Sequence, residues 1–269
     1  MKTLSLRFLA FALLTVTLTS CEEVIEWEVD NASTKNVVEA LIMEGVGNNY
    51  VIISKSTGYT DKPDYNLNGG QIVIIRDQNG LDYLCNEIDT GVYSSPNLNG
   101  KQGYTYSLTV QIDDEDVISE STMPAKVEID SIVMDLNTGF GSSFYTAQCY
   151  YTDPGSIDNF YKYDVYLNGN LQYGTQVNND VYSNGVSTYA QLFFTDSVKV
   201  TDTVSVVMHS IDKKNYRYLS AIASGGFGGG ADAVPGNPES NLEGNAIGYS
   251  QLLNRYLVCK PVVFLIGII

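Results

Sequence analysis

Imidazole is almost missing from this chain. Among 269 residues there is a single histidine, His209, which excludes multi-histidine metal centres and leaves little room for imidazole catalysis. Basic side chains are scarce too: 15 Lys and Arg stand against 31 Asp and Glu, for a formal charge of −16. Such a surface, with no Lys/Arg cluster, repels phosphate backbones, so no nucleic-acid partner is expected. The four cysteines, Cys21, Cys85, Cys149 and Cys259, include no CxxC pair, and one histidine cannot complete a tetrahedral zinc site; neither a metal nor a cofactor is expected. The apolar C-terminal run, residues 261–269, falls short of the roughly twenty residues a spanning helix needs and reads as a buried terminal strand.

What is present begins with an address. Lys2 and Arg7 precede an apolar stretch over residues 8–16, and Leu18-Thr19-Ser20-Cys21 closes it with small residues before a thiol. That is a lipoprotein signal: residues 1–20 are predicted to be cleaved and Cys21 to carry the acyl chains, palmitate among them, that hold the protein to a membrane. Removing Lys2 and Arg7 with the leader makes the mature chain more acidic by two charges. Residues 21–35 form a tether in which Glu22, Glu23, Glu26 and Glu28 repel one another and keep the chain extended. This strip is similar to the acidic export signals of surface-exposed Bacteroidota lipoproteins, which implies a lipid-anchored position at the outer membrane, on the cell surface. A solvated linker without sorting information is the competing reading.

From residue 36 the chain reads as short β runs punctuated by Gly and Asn. Runs at residues 37–45, 50–56, 71–76, 81–85, 104–112 and 116–121, with Asn79-Gly80 as a hairpin turn, predict an N-terminal β-sandwich over residues 36–125. A second set at residues 127–134, 144–151, 160–167, 187–194 and 203–209 predicts a C-terminal β-rich domain over residues 126–269. Its exception is a short helix at residues 213–223, capped by Asp212 and stopped by Gly225-Gly226. The fold class expected is therefore all-β: two tandem immunoglobulin-like β-sandwich domains, with one short helix in the second. Residues 225–245 form a loop longer than chain connection requires, and Phe227, Asp232, Pro235, Asn237 and Pro238 are its candidate contact residues.

Several landmarks occur together and in order: Cys21-Glu22, the run at residues 37–45, Gly91-Val92-Tyr93 before Gly103-Tyr104-Thr105-Tyr106, and Ser119 through Pro124 leading to Ile129-Asp130-Ser131-Ile132. The last is the stretch at residues 235–249. With them the chain resembles the Bacteroidota outer-membrane lipoprotein family known as domain of unknown function 4249. The resemblance implies an all-β surface lipoprotein, often found beside TonB-dependent outer-membrane transporters, without an established activity. Where that family continues from Gly248-Tyr249 into an aromatic residue, Ser250 stands here.

Candidate chemistry is thin. His209 has Ser210 and Asp212 beside it, but triad members must converge from separate elements, and neighbours on a strand face opposite ways. The acidic run from Asp113 to Asp116 lacks the spacing and glycine of a calcium loop and reads as a hairpin tip, with Asp61, Asp64 and Asp153 as further loop acids. The glycines at residues 225–230 lack the Lys-Ser/Thr of a phosphate loop. Tyrosines remain, at positions 145, 150, 151, 161, 163, 166, 182 and 189, as packing residues or as platforms for a glycan or peptide ligand. No catalytic residue is expected. The expected function is that of a non-enzymatic accessory or binding component of TonB-dependent nutrient uptake, the alternative being a structural or adhesive cell-surface β-sandwich protein.

Overall fold

The computed structural model describes residues 34–47, 49–57, 66–139, 141–172, 174–226 and 239–259. Alternation with period two builds its sheets. In β1 (Asn36–Met43), Val38, Ala40 and Ile42 are buried in a core, whereas Glu39, Leu41 and Met43 line the other face. β1 lies between two partners, antiparallel to β3 (Asn49–Lys55) and parallel to β20 (Ala246–Cys259). The second half of β20 runs antiparallel to β18 (Val204–Ile211), which pairs in turn with β14 (Phe160–Leu167). β4 (Asn66–Leu67), β7 (Asn86–Asp89), β8 (Val92–Ser94), β15 (Asn170–Leu171) and β16 (Gln176–Asn179) complete a ten-stranded sheet among the described residues.

Two smaller sheets pack against it. One contains β19 (Leu242–Glu243), β11 (Glu115–Thr122), β10 (Thr105–Ile112), β5 (Ile72–Asp77) and β6 (Asp82–Leu84). Its Ile75, Leu108 and Val110 share a core with Val38, Ile42 and Ile53 of the large sheet. The other contains β12 (Ile129–Gly139), β13 (Ser142–Thr152) and β17 (Ser187–Leu192), whose Ala147, Tyr151 and Leu192 meet Tyr161, Val165 and Met208. β2 (Gly45–Val46) and β9 (Asn99–Gly100) form a separate ribbon. Each fully buried aliphatic side chain contributes about 1.5 to 3 kcal/mol, so both cores are substantial. Chain order alone does not divide them: Leu242 and Leu252, from the far end of the chain, belong to the first core.

The protein is all-β with a single helix among the described residues. That helix, α1 (Lys213–Gly226), starts where Asp212 accepts hydrogen bonds from Asn215, through its N–H at 2.9 Å and its side-chain amide at 2.6 Å. It runs through Gly225 and Gly226 instead of stopping before them, a local cost of about 1 kcal/mol per glycine at a terminus that varies readily. Leu219, Tyr216 and Tyr218 press onto Ile211, Leu41, Met43 and Phe160, on the face of the large sheet that the two smaller sheets leave uncovered.

The seam between β1 and β20 explains the stretch that leads into it. At Gly248, φ is +117°, and a Cβ would stand 2.2 Å from the Val38 carbonyl oxygen, so the close approach requires glycine. Ser250 is buried here. Its N–H donates to Asn241 at 2.9 Å, and its carbonyl accepts from the side-chain amides of Asn241 at 2.6 Å and Asn215 at 3.1 Å. Among the described residues no helix is long and apolar enough to cross a membrane, a finding that does not bear on strands.

Candidate functional site

On that second face of the large sheet, next to α1, lies a pocket of about 350 Å³. Five strands supply its polar side chains: Glu39 from β1, Tyr50 from β3, Lys162 and Asp164 from β14, His209 from β18, and Tyr249 and Gln251 from β20. The pattern is unusual because each strand breaks its apolar alternation at the position that faces the pocket. Val207 and Ile211 flank His209 on its own face, for example, and both are buried.

Asp164 organises the centre. Its carboxylate accepts from His209 Nε2 at 2.7 Å and pairs with Lys162 Nζ at 2.9 Å. Burial pushes this carboxyl up, but the His209 hydrogen bond and the Lys162 charge outweigh it and hold the group down at about 2. An ionised carboxylate can only accept, so Nε2 carries the hydrogen and, in the neutral ring, Nδ1 is a bare acceptor. That Nδ1 atom is buried without a partner, and so is the Nε2 amide of Gln251. Both residues are enclosed, at 5% and 3% exposure. A buried polar atom without a partner costs about 1 to 3 kcal/mol, so two such atoms on one pocket are a costly arrangement for the unliganded protein.

The rest of the lining is aromatic and acidic. Burial pushes the Glu39 carboxyl above its ordinary range, which favours the neutral form. Burial first, and the Glu39 charge second, push the phenols of Tyr50, Tyr218 and Tyr249 up, so all three stay protonated donors. The rings of Tyr218 and Tyr249 pack 4.9 Å apart, so α1 supports the pocket from behind the Tyr249 side chain.

A larger cavity of about 610 Å³ lies between α1, β16 and β17, lined by Val177, Leu192, Phe193, Tyr216 and Ala223 among others. Its amides have partners: Gln176 accepts from the Phe193 N–H at 2.8 Å and donates to the Phe193 carbonyl at 2.9 Å, Asn178 accepts from the Asn179 N–H at 2.9 Å, and Gln191 donates to the Thr146 hydroxyl at 3.3 Å. One buried hydroxyl of that lining, Tyr163, also lacks a partner, but the smaller pocket combines an unpartnered acceptor and an unpartnered donor with charged side chains, and that marks it as the candidate site.

The positions singled out from the sequence are dispersed. Cys21, Glu22, Glu23, Glu26 and Glu28, the loop residues Phe227, Asp232, Pro235, Asn237 and Pro238, the acids Asp61 and Asp64, and the tail at 261–269 lie outside the described residues. His209 does not meet its sequence neighbours: Ser210 alternates to the other face of β18, and Asp212 caps the helix. Its partner, Asp164, comes from the adjacent strand, 45 residues away. Asp113 and Asp114 form the β10–β11 turn with positive φ. Asp153 is buried and structural, accepting from the Tyr161 hydroxyl and from the Gly185 N–H at 3.3 Å.

Of the tyrosines, 151, 161 and 163 are core residues, and Tyr182 is 98% exposed in a turn. Tyr150 and Tyr189 form a cross-strand pair, rings 5.2 Å apart, on the outer face of the three-stranded sheet. Cys85 and Cys149 are free and buried in different cores. Burial pushes the Cys85 thiol up to about 11; burial, helped by the Asp130 charge, pushes Cys149 up to about 12.

Fold and site together define an all-β protein with, among the described residues, one helix and a polar pocket on the open face of the ten-stranded sheet. Its sequence matches the family described as Domain of unknown function (DUF4249) over residues 22–252, and the chain belongs to that family. No match was found among curated proteins.

Proposed function

We propose that this protein is a surface-exposed outer-membrane lipoprotein, anchored through Cys21, that acts as a non-enzymatic binding component beside a TonB-dependent transporter. The observation that carries the binding half of this reading is the pair of buried, unpartnered atoms, His209 Nδ1 and Gln251 Nε2, on one small pocket. Serine, threonine and cysteine are missing from the described lining, so no aliphatic hydroxyl or thiol stands beside the Asp164–His209 pair, and burial keeps the phenols of Tyr50 and Tyr249 protonated. The leader, the lipobox cysteine and the acidic tether support the anchored, outward-facing half. In the same proposal the core of residues 38–123 with Leu242 and Leu252, and the core of residues 127–208, act as two immunoglobulin-like sandwiches, joined through the shared sheet.

Gentle crosslinking of intact outer membranes, followed by purification in detergent, tests the partner. Recovery of a TonB-dependent barrel with the protein supports uptake; recovery of the acylated protein with no barrel overturns it. Labelling with an alkyne analogue of palmitate tests the anchor, and the label should vanish in Cys21→Ala together with membrane retention.

A further inference from the structure

We propose that the pocket on β1, β3, β14, β18 and β20 takes an uncharged, polyhydroxylated ligand, a single sugar ring. The proposal rests on the binding role proposed above and adds the ligand class. It starts from complementarity. His209 Nδ1 needs a donor and Gln251 Nε2 needs an acceptor, and both needs arise in one cavity. A hydroxyl group supplies either, and a ring of adjacent hydroxyls supplies both at once.

Charge narrows the choice. The Asp164 carboxylate is already matched by Lys162 at 2.9 Å and by the His209 N–H at 2.7 Å, so it offers little to a cationic ligand. Among the described lining residues that leaves one carboxyl, Glu39, which sits in the charge environment of Tyr50, Tyr218 and Tyr249. Burial around Glu39 opposes a full charge there, and a carboxyl of either form hydrogen-bonds sugar hydroxyls well. An anion would meet Glu39 and Asp164 with no unpaired cation among the described lining. A neutral ligand faces neither penalty.

Shape agrees with this. About 350 Å³ is at the small end of ligand pockets, suited to one ring and not to an extended peptide or glycan chain. Tyr50 and Tyr249 add aromatic surface, with Ile52 and Met43 as apolar floor, which suits the C–H faces of a pyranose.

Saturation-transfer-difference NMR on the mature, detergent-solubilised protein tests the class, with D-glucose, D-galactose, D-mannose and N-acetyl-D-glucosamine as sugar probes and ethanolamine and acetate as charged ones. Binding of at least one sugar is expected, weakened at least tenfold in Glu39→Gln and in Gln251→Met. Unchanged thermal midpoints would show that both variants are folded; if Gln251→Met unfolds, the conservative Glu39→Gln decides alone. Silence from all four sugars, a signal from ethanolamine or acetate alone, or sugar binding that neither variant weakens overturns the proposal. A transporter that still co-purifies while no sugar binds removes the ligand class only, whereas sugar binding without any co-purifying barrel removes the uptake role only.

Discussion

The two faces of the ten-stranded sheet are made by the same strands and differ in almost everything else. Toward the two smaller sheets, β1, β14 and β18 present Val38, Ile42, Val165, Val206 and Met208, all almost completely buried. Toward α1 they present Glu39, Lys162, Asp164 and His209, with Tyr50 and Tyr249 beside them in the lining. One face is closed mainly by apolar and aromatic packing, with the hydroxyls of Tyr151, Tyr161 and Tyr163 inside it, and the other holds charges in a partly open pocket and leaves His209 Nδ1 and Gln251 Nε2 without partners. The contrast separates residues that make the fold from residues the fold merely supports. It also shows how little sequence distance divides them, since Met208 and His209 are adjacent.

Substitutions on the two faces should therefore have opposite signatures. The largest effect on stability belongs to the core face: Leu108→Ala should destabilise the protein by about 2 to 5 kcal/mol in urea unfolding, by loss of transfer energy and creation of a cavity. The next belongs to the seam between the chain's ends. Asn241→Ala leaves the buried N–H and carbonyl of Ser250 short of partners and should cost about 2 to 3 kcal/mol. A loss well below 1 kcal/mol would mean that the β1–β20 pairing does not depend on this clamp.

Asp164 lies between the two kinds of residue. It faces Lys162, His209, Glu39, Tyr50 and Tyr249 across the pocket. Its folded value of about 2 lies below the ordinary 3.8, so the stability it contributes is complete above about pH 4 and disappears as pH falls toward 2. The size is about 2 kcal/mol. Asp164→Asn should lower stability at pH 7 by roughly that amount and flatten the acid limb between pH 4 and pH 2. An acid limb of unchanged slope would contradict the electrostatic role assigned to it.

The smallest effects concern Glu39 and the two thiols. Glu39→Gln should alter the unfolding free energy by under about 0.5 kcal/mol, because a half-buried carboxyl pushed upward by burial loses nothing on neutralisation. Cys85 and Cys149 should resist iodoacetamide in the native protein at pH 8 and react on unfolding, reporting the two cores separately.

Much of the first face was legible in the sequence. The runs expected at residues 104–112 and 116–121 are β10 and β11, shifted by a residue or so, and the run at 160–167 is β14 as predicted. Asn168-Gly169 makes its turn with φ of +52° and +80°, as an Asn-Gly pair between β runs favours. Asp212 caps α1 because an acid before a helical run satisfies its first N–H groups, and that signal is local. The insertion of β20 between β1 and β18 was not legible, since a parallel pairing across some two hundred residues leaves no mark in either segment.

The pocket escaped for the same reason. Glu39, Asp164, His209 and Gln251 come from four strands, and the residues beside His209 in the chain carry no sign of Asp164, 45 positions away. A signal did exist, in charged residues set singly within otherwise apolar strands at positions of one parity. Parity tells which face such a residue occupies, and only the register between strands tells what it will meet there.

The most direct test of the contrast is the unfolding free energy of Gln251→Met, measured in urea beside the unaltered protein. If the second face keeps its amide for a ligand, removing a buried, unpartnered donor while preserving volume should leave stability unchanged or raise it by about 1 kcal/mol. A loss of 1 kcal/mol or more would show that the amide is part of the framework, and the distinction between the two faces would fail.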